Sequence, residues 1–535
     1  MRKFSSYGPV NTRLHYYAPR TELIDRACLQ LLGEDPNDGG HYITVWAPRQ
    51  TGKTWLMQQV LARVNASAEY ETAILTMQSA KEIQDGQRVL RIFVNALSNW
   101  FGRDFPALER WEDLHTLFTP EYFAKPLILI IDEFDALHEA FINRFANEFR
   151  SIYTQRTNQI GIPSAAKSNL LHGLALIGVR SVLGIENVSG SPFNVQRSVH
   201  IPNLTQDEVD GLFQWYQTES GQEIAPDIVA RVYAEMQGQP GLTCWLGELL
   251  TETYNRHAAE ITMQDFDFAY SAAMDALPNN NILNIISKAK QEPYKALVLE
   301  MYKTATKLPF RYDDPETNFL YMNGVVEHDV VLEGNGEYNR YLKFASPFVQ
   351  KRLFNYFAHE LFMGLDRLYD PFADMSETIT DERLHVPNLM RHYERYLQKN
   401  QGWLFKNAPR RKTDERIYEA VYHFNLYMYL TQFLVNYDAS VTPEFPTGNG
   451  KIDLLIHHHG VLYALELKSF ANRRAYQRAL QQAALYGQQL QLTTIWLIFF
   501  VDLISEENRR ELEAVYHDAQ TGVTVTPVFV ATNSQ

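Results

Sequence analysis

The sequence predicts an α/β protein of several domains. Its 535 residues suffice for about three or four domains. A content of 45% apolar and 21% charged residues is ordinary for globular proteins. The longest apolar runs, LILII at 127–131 and IWLIFFV at 495–501, are far too short to span a bilayer and are typical of buried strands. A helical pattern accompanies each run, so we predict sheets covered by helices.

Composition and charge exclude several classes of protein. Cys28 and Cys244 are the only cysteines, so neither a disulfide framework nor a cysteine metal cluster is available, and a reducing cytoplasm is expected. The first ten residues, MRKFSSYGPV, lack the apolar segment of a signal peptide, and we expect no membrane association. The net charge of −14 argues against a surface that binds nucleic acid everywhere, so any DNA contact requires a local basic patch.

A strand, a loop and a helix follow one another in residues 41–64. HYITVWAP (41–48) is a strand pattern, KTWLMQQVLARV (53–64) is an amphipathic helix, and APRQTGKT (47–54) joins them. This is the context of a phosphate-binding loop: Gly52 permits the tight turn, Lys53 places a charge near the β- and γ-phosphates, and Thr54 offers its hydroxyl to Mg²⁺. Ala47 replaces the usual first glycine. The loop residues that we predict to bind nucleotide are Pro48, Arg49, Gln50, Thr51, Gly52, Lys53 and Thr54.

An acidic pair follows a second apolar strand in KPLILIIDEFDAL (125–137). After a phosphate-binding loop, Asp132 is expected to hold Mg²⁺ through water and Glu133 to polarise the attacking water. The alternative is that the pair only caps a helix. A third strand, LALIGV (174–179), ends at Arg180 and Ser181, which are either sensors of the γ-phosphate or a solvated strand end.

These segments resemble bacterial AAA-like ATPases of the STAND type, which are usually nucleotide switches. Further segments that carry the resemblance are HYYAPRTEL (15–23), SPFNVQRSVHIPNLTQDEV (191–209) and MQGQPGLTCWLGELL (236–250). It implies a P-loop NTPase core with a parallel sheet at 1–204, a helical lid at 205–275, and ATP with Mg²⁺ as cofactors. Arg20 matches an arginine near the nucleotide base, with Thr21 in place of the usual acid. Pro240 matches the lid proline that approaches the nucleotide.

Residues 276–385 combine helical patterns with a predicted hairpin. Gly334-Asn335-Gly336 separates VVEHDVVL (325–332) from YNRYLKFA (338–345), as in a β-turn between two strands. The resemblance places a winged-helix-like module here. Winged helices often bind DNA, but this stretch lacks a basic recognition helix, so we favour a lid.

Residues 386–416 are predicted to form a basic linker. Between 391 and 416, eight Lys and Arg residues oppose three acidic residues, a net charge of +5, and Trp403, Phe405 and two tyrosines lie among them. Basic and aromatic side chains together suit a nucleic-acid backbone with exposed bases. The alternative is a solvated connection between domains.

The segment GNGKIDLLIHHHGVLYALELKSF (448–470) predicts a hairpin with two facing acids. If His459 and Gly460 form a two-residue loop, Asp453 lies opposite Glu466, with Cβ atoms about 4.5–5.5 Å apart. Two such carboxylates repel unless a divalent cation joins them. Alternation places Lys468 on the face of Glu466, and the carbonyl of Leu467 is a further candidate ligand. The alternative is an exposed edge hairpin.

Together with EAVYHF (419–424) and ALQQAALY (479–486), this hairpin resembles the PD-(D/E)XK nuclease domain that accompanies AAA-like ATPases in bacteria and archaea. The resemblance implies a restriction-endonuclease-like α/β domain at 417–535. Asp453 and Glu466 would be ligands of Mg²⁺ or Mn²⁺, and Lys468 would be the catalytic lysine. The remaining residues carried over are Glu419, which completes the metal site, and Gln482 and Tyr486, which match the QxxxY motif beside it.

The sequence therefore predicts an ATP-dependent or ATP-gated nuclease in a bacterial or archaeal cytoplasm. DNA is the expected substrate and RNA the second choice; the resemblance suggests defence against mobile DNA. The rival hypothesis is a STAND-like signalling or scaffold ATPase whose nuclease-like domain binds nucleic acid or protein without cleaving. A DNA-repair motor is disfavoured because no helicase motifs follow Asp132-Glu133. Candidate partners are a trigger protein or further copies of the chain. A homo-oligomer could supply an arginine finger from Arg144, Arg150 or Arg156.

Overall fold

The computed structural model describes residues 1–178, 197–302, 307–334, 336–365, 368–369, 374–412, 415–444 and 453–533. The chain divides into two compact units. The first contains Met1–Asn281 and Tyr312–Gly324, and the second contains Ile282–Arg311 and Val325–Gln535. The predicted middle module therefore contributes residues to both units. Within the described ranges, no helix is long and apolar enough to cross a membrane.

A five-stranded parallel sheet forms the centre of the first unit. Its strands are β1 (Tyr42–Trp46), β2 (Glu71–Thr76), β3 (Leu127–Asp132), β4 (Leu171–Gly178) and β5 (Arg197–His200). They are ordered β2-β3-β4-β1-β5, and each neighbouring pair is parallel. All five carboxyl ends therefore lie at one edge of the sheet. The parallel P-loop ATPase fold expected from the sequence is present.

Helices cover both faces of this sheet, which explains why β3 is apolar along its length. The covering helices are α1 (Thr21–Leu32), α2 (Lys53–Ala66), α3 (Gly86–Phe101) and α4 (Glu139–Thr157). Leu127, Leu129 and Ile131 join the core formed with α3 and α4. Ile128 and Ile130 join the core formed with α1 and α2.

The second part of the first unit is helical, as expected for the lid. Its elements are α5 (Gln206–Ser220), β6 (Glu223–Ile224), α6 (Pro226–Met236), α7 (Pro240–Glu248), β7 (Glu260–Ile261) and α8 (Met263–Ser271). Thr205 starts α5 with a capping box, in which its side chain accepts from the Glu208 N–H and Glu208 accepts from the Thr205 N–H. This capping box begins α5 at Thr205.

The middle of the chain contains the predicted hairpin. The helices here are α9 (Asn280–Ala289), α10 (Tyr294–Met301), α11 (Pro315–Met322) and α12 (Pro347–Phe362), and the strands are β8 (Val326–Leu332) and β9 (Tyr338–Phe344). β8 and β9 are antiparallel, with Val326 opposite Phe344. The hairpin belongs to the second unit, whereas α11 belongs to the first.

A six-stranded mixed sheet forms the centre of the second unit. The elements are α13 (Val386–Leu404), α14 (Glu419–Phe433), β10 (Ala439–Glu444), β11 (Asp453–His458), β12 (Val461–Ser469), α15 (Arg473–Gln489), β13 (Thr494–Val501), α16 (Glu506–Leu512), β14 (Tyr516–His517) and β15 (Thr524–Ala531). The strand order is β10-β11-β12-β13-β15-β14. β12, β13 and β15 are parallel, and the remaining neighbouring pairs are antiparallel. Along the chain, α14 precedes the hairpin of β11 and β12, which is followed by α15 and β13.

The predicted basic linker contains a packed helix. Residues 386–404 form α13, and three of the four aromatic side chains proposed for stacking, Tyr393, Tyr396 and Phe405, are buried. Trp403 is the exposed one. The apolar side chains of this segment therefore pack into the core of the second unit. Several of its basic side chains are exposed, among them Arg395, Lys399, Lys406 and Arg410.

Glu394 joins α13 to the rest of the second unit. It is only 6% exposed, and its carboxylate accepts from the Ala531 N–H at 2.7 Å. It pairs with Arg509 at 2.7 Å and with Arg391 at 3.2 Å. We expect Glu394→Ala to lower the free energy of unfolding by about 3 kcal/mol, because it leaves guanidinium groups without their buried partner. Urea unfolding of the full chain, followed by fluorescence, measures this.

Glu507→Ala is the matched control for Glu394→Ala, because Glu507 is exposed on α16. Its substitution should change the free energy of unfolding by less than about 0.5 kcal/mol. Equal effects of the two substitutions would contradict the role given to Glu394.

Candidate functional sites

A cavity of about 680 Å³ opens at the carboxyl edge of the parallel sheet. The loop after β1 forms its floor, and Asp132, Glu133 and Asp135 line it after β3. The N-terminal residues 5–10 and the lid residues Pro240 and Gly241 line other walls. Cavities at the carboxyl ends of parallel strands are the usual ligand sites of α/β sheets.

Side chains of the phosphate-binding loop form hydrogen bonds within the loop and with β3. Gly52 has φ 86°, in the region that favours glycine, as the tight turn requires. Lys53 Nζ donates to the carbonyl oxygens of Ala47 at 2.9 Å and Pro48 at 2.8 Å. Thr54 Oγ1 donates to Asp132 Oδ2 at 2.6 Å. Lys53 thus donates its hydrogen bonds to carbonyls of the loop itself. Thr54 joins the loop to β3, the strand that carries the acids.

The acids beside the loop perturb one another and Lys53. Burial lowers the pKa of Lys53 to about 8, although Asp135, Asp132 and Glu133 oppose that shift. Burial, together with Asp132 and Asp135, raises the pKa of Glu133. Glu133 also has φ 52°, a left-handed conformation that costs energy for a residue with a side chain and often marks functional sites. A strained acid with a raised pKa suits a base that polarises water.

Asp135 is a site residue that the sequence reasoning missed. It lines the cavity and is the largest favourable charge acting on Lys53. A Cβ at Gly178, the last residue of β4, would lie 3.0 Å from the Asp135 carboxyl carbon. The signal was available, because DEFD carries a third acid two residues after Glu133.

Arg20 lines the cavity, but its described contacts are with protein. Its guanidinium donates to the carbonyl oxygens of Pro202 at 2.8 Å and Asn203 at 2.7 Å. It also pairs with Glu208 at 3.1 Å. These contacts fasten the start of α1 to the start of the lid. A contact between Arg20 and the nucleotide base stays a prediction.

The lid touches the phosphate-binding loop directly. Gly241 N–H donates to the Gln50 carbonyl at 3.0 Å, and Gln239 Nε2 donates to the Arg49 carbonyl at 2.9 Å. A Cβ at Gly241 would lie 2.6 Å from Gln50 Cβ, so only glycine permits this approach. Pro240 stands between these residues and lines the cavity. A rearrangement of the phosphate-binding loop would therefore change the contacts that it makes with α7.

Two sequence predictions around this cavity have other outcomes. Arg180 and Ser181 lie outside the described residues. Arg156 is 3% exposed, and its guanidinium donates to the Asn169 carbonyl and to Ser164 Oγ. It is therefore an internal residue and is unsuited to reach a neighbouring copy, whereas Arg144 and Arg150 are exposed.

The second candidate site lies on the mixed sheet of the second unit. The register pairs Asp453 with Glu466 and continues to His458 with Val461, as predicted. His459 has φ 47° and Gly460 has φ 75°, so both central residues adopt the positive φ that a two-residue hairpin turn needs. The Asp453 backbone is described, but its side chain lies outside the described part, as do residues 445–452.

Glu466 is a buried acid that has few polar partners among the described residues. Its side chain is 2% exposed, and within the described residues neither carboxylate oxygen accepts a well-directed hydrogen bond. Lys468 Nζ lies 2.9 Å from Glu466 Oε1 and donates to Gln482 Oε1 at 3.0 Å. The structure thus brings together three of the predicted site residues. A desolvated carboxylate with unused oxygens has the chemistry of a ligand for a hard divalent cation.

Glu419 approaches the same end of β12. It is the first residue of α14, and its Oε1 accepts from the Ser469 N–H at 3.2 Å, one residue beyond Lys468. His423, one turn along α14, has its Nε2 3.9 Å from Glu419 Oε1. Burial lowers the pKa of His423 to about 4, so this imidazole is neutral. Glu419 therefore lies beside β12, the strand that carries Lys468.

The other predicted residues of this site have simpler surroundings. Tyr486 is buried in the core between α15 and the sheet, one turn after Gln482. Leu467 is buried as well, and its carbonyl as a metal ligand stays a prediction. Glu444, which the sequence reasoning missed, is the register partner of Asp453 on β10 and pairs with Lys351 at 3.1 Å.

The described side chains contain no group of three or more His, Cys, Asp and Glu residues placed to hold a metal ion. The Asp453 carboxylate, on which the predicted metal site depends, is not among them. The fit therefore rests on the Glu466 oxygens, which lack hydrogen bonds, and on the neighbouring Glu419.

Comparison with known proteins concerns the first part of the chain. Residues 6–253 match the model of the AAA-like domain family. No curated protein sequence matches the chain. Among solved structures, the Walker-type ATPase paby2304 of Pyrococcus abyssi is 12% identical with a TM-score of 0.42, covering 65% of this chain and 99% of that one.

Two further structures are similar at the same level. The Aeropyrum pernix ORC1 protein in complex with DNA is 16% identical with a TM-score of 0.34, covering 63% of this chain and 92% of that one. CDC6P from Pyrobaculum aerophilum is 14% identical with a TM-score of 0.36, and the match covers 65% of this chain and 97% of that one. With TM-scores this low, these similarities carry no functional conclusion. The family match and the geometry of the loop agree: residues 6–253 of this protein form an AAA-like domain with the P-loop ATPase fold.

Proposed function

We propose that the protein is a nucleotide-controlled nuclease. ATP bound and hydrolysed in the AAA-like domain controls metal-dependent cleavage of DNA by residues 417–535. The observation that carries this proposal is Glu466, a buried carboxylate. Within the described residues its oxygens accept no well-directed hydrogen bond, and Lys468 Nζ lies 2.9 Å from its Oε1. A buried acid so placed is a cost to stability, which proteins retain chiefly where function needs it.

The AAA-like domain has the groups that ATP hydrolysis requires. Loop N–H groups and Lys53 would receive the β- and γ-phosphates, and Thr54 and Asp132 would hold Mg²⁺. The bound ion would neutralise phosphate charge. Glu133, with its raised pKa, would orient the attacking water and accept its proton. Phosphate binding would take Lys53 from the carbonyls of Ala47 and Pro48, and this change reaches α7 through Gln50.

The C-terminal site has the groups that phosphodiester cleavage requires. Asp453, Glu466 and Glu419 would hold Mg²⁺ or Mn²⁺, which when bound supplies positive charge to the scissile phosphate. Lys468 would stabilise the developing negative charge or hold the attacking water. Gln482 positions Lys468 through the hydrogen bond of 3.0 Å. The exposed Arg395, Lys399 and Lys406 of the 386–416 segment would supply phosphate contacts.

Asp453→Asn and Lys468→Ala should each reduce DNA cleavage by at least about 100-fold, because each removes a charge needed in the transition state. Linear, circular and single-stranded DNA, with RNA in parallel, are incubated with each variant and Mg²⁺ or Mn²⁺, with and without ATP. ATP hydrolysis should stay at the wild-type rate.

Glu507→Ala is the control, since Glu507 is an exposed acid of the same unit. Undiminished cleavage by Lys468→Ala would refute the site. If the wild type hydrolyses ATP but cleaves no nucleic acid under any condition, a scaffold ATPase replaces the nuclease.

Glu133→Gln should lower ATP hydrolysis by about 100-fold or more while leaving ATP affinity within about twofold, since the amide cannot accept a proton. We expect ATP-dependent cleavage to persist in this variant, because loop occupancy alone alters the contacts of Gln50 and Arg49 with the lid. Loss of cleavage together with hydrolysis would show instead that hydrolysis is the controlling step.

ATP affinity should fall as the pH rises above about 8. Burial places the pKa of Lys53 at about 8 in the nucleotide-free domain, and the polyphosphate requires the protonated ammonium. Between pH 7 and pH 9 we expect Kd, measured by calorimetry, to rise about tenfold. Lys53→Arg, whose guanidinium stays protonated, should show a flatter profile. The same slope in both proteins would assign the dependence to another group.

A further inference from the structure

The nucleotide cavity contains polar atoms that the protein itself leaves unused. Ser6 Oγ and Trp55 Nε1 are buried, and within the described residues neither has a hydrogen-bond partner. The same holds for Gln50 Oε1, a loop residue already expected at the nucleotide. All three residues line the one cavity. Buried polar groups normally have partners, so three exceptions around one cavity require a common explanation.

We propose that Ser6 and Trp55 are nucleoside-recognition residues, which satisfy their hydrogen bonds only when ATP or ADP occupies the cavity. This inference rests on the proposed function of the AAA-like domain. It adds the residues that form hydrogen bonds with the uncharged part of the ligand. A buried hydroxyl or indole N–H without a hydrogen-bond partner destabilises the folded domain. A ligand that forms hydrogen bonds with both groups removes this destabilisation, and the free energy gained contributes to its affinity.

The chemistry of these atoms suits the nucleoside, the uncharged part of the ligand. A serine hydroxyl donates and accepts, and an indole N–H only donates. Neither is charged, which matches sugar hydroxyls and the edges of a base. The phosphates have their own partners in Lys53 and the loop. The acids that line the cavity, Asp132, Glu133 and Asp135, lie at that phosphate end.

The N-terminal segment that carries Ser6 packs against the lid helices. Phe4 packs against Phe213 at 4.9 Å and Tyr16 at 5.3 Å between ring centroids. The Phe4 N–H donates to Glu252 Oε1 at 3.0 Å. Arg2 lies over the Trp215 ring at 4.6 Å. The N-terminal segment is thereby anchored to the lid helices, and it presents Ser6 as part of the cavity wall.

Trp55 is anchored from the other side. It follows Thr54 directly at the start of α2, and it is 6% exposed. Its ring contacts Tyr17, with 5.4 Å between centroids. Packing therefore fixes the indole, and within the described residues its N–H has no hydrogen-bond partner. Ser6 and Trp55 belong to segments far apart in the chain, so their convergence on one cavity is a property of the fold.

The test uses Ser6→Ala and Trp55→Phe in the full-length protein, with ATP and ADP as ligands. Each variant should bind nucleotide about 3- to 10-fold more weakly by calorimetry, the loss of one hydrogen bond. In the absence of nucleotide, the thermal midpoint of each variant should equal or exceed that of the wild type, because an unpaired buried polar group has been removed. Opposite signs for affinity and stability are not expected from a structural residue.

Ser5→Ala is the matched control for Ser6→Ala. Ser5 lines the same cavity, but its hydroxyl already donates to the Tyr7 carbonyl at 3.1 Å. Trp215→Phe serves likewise, since Trp215 Nε1 donates to Glu219 at 2.9 Å. Both controls should keep nucleotide affinity within about twofold, and neither should raise the thermal midpoint.

Two results would overturn the inference. Wild-type affinity in both Ser6→Ala and Trp55→Phe, with Lys53→Ala unable to bind, would leave the ATPase assignment intact and refute these recognition residues. A lower thermal midpoint of the empty variants with unchanged affinity would show that both side chains are structural. If Lys53→Ala binds ATP as well as the wild type does, the proposed nucleotide site itself fails, and that failure is distinct from the first.

Discussion

Burial of charged side chains against a sheet is the constraint on which both candidate sites depend. Lys53 is held against loop carbonyls with three acids around it, and its pKa falls to about 8. Glu466 is nearly fully buried, with Lys468 as its close cation. Desolvation makes each of these charges costly until a ligand of opposite charge arrives.

In the AAA-like domain, hydrogen bonds of the phosphate-binding loop and of Arg20 connect the site to β3 and to the lid. Thr54 joins the loop to Asp132 on β3. Gln50 receives the Gly241 N–H from α7, and Arg20 ties the start of α1 to Glu208 of α5. The phosphate-binding loop and the lid are therefore joined by direct hydrogen bonds.

Where local patterns carry the chemistry, sequence reasoning and structure agree. The hairpin register follows from alternation plus a turn whose two residues take positive φ, so pairing of Asp453 with Glu466 was predictable. Thr205 was recognisable as a cap for the same local reason. Agreement ends where long-range packing decides. In residues 391–416 the charge count indicated a basic linker, but burial of Tyr393, Tyr396 and Phe405 depends on what packs against α13, which composition does not record.

The sequence by itself determined the element types, the phosphate-binding loop, the acids after β3 and the register of the C-terminal hairpin, because each follows from residues close in the chain. Tertiary structure alone decided that Arg156 is internal, that Asp135 faces Lys53, and that Lys468 meets both Glu466 and Gln482. It also decided that Ser6 and Trp55, 49 residues apart in the chain, line one cavity with unused polar atoms. Whether a polar atom is satisfied depends on everything that surrounds it, and those neighbours come from distant parts of the chain.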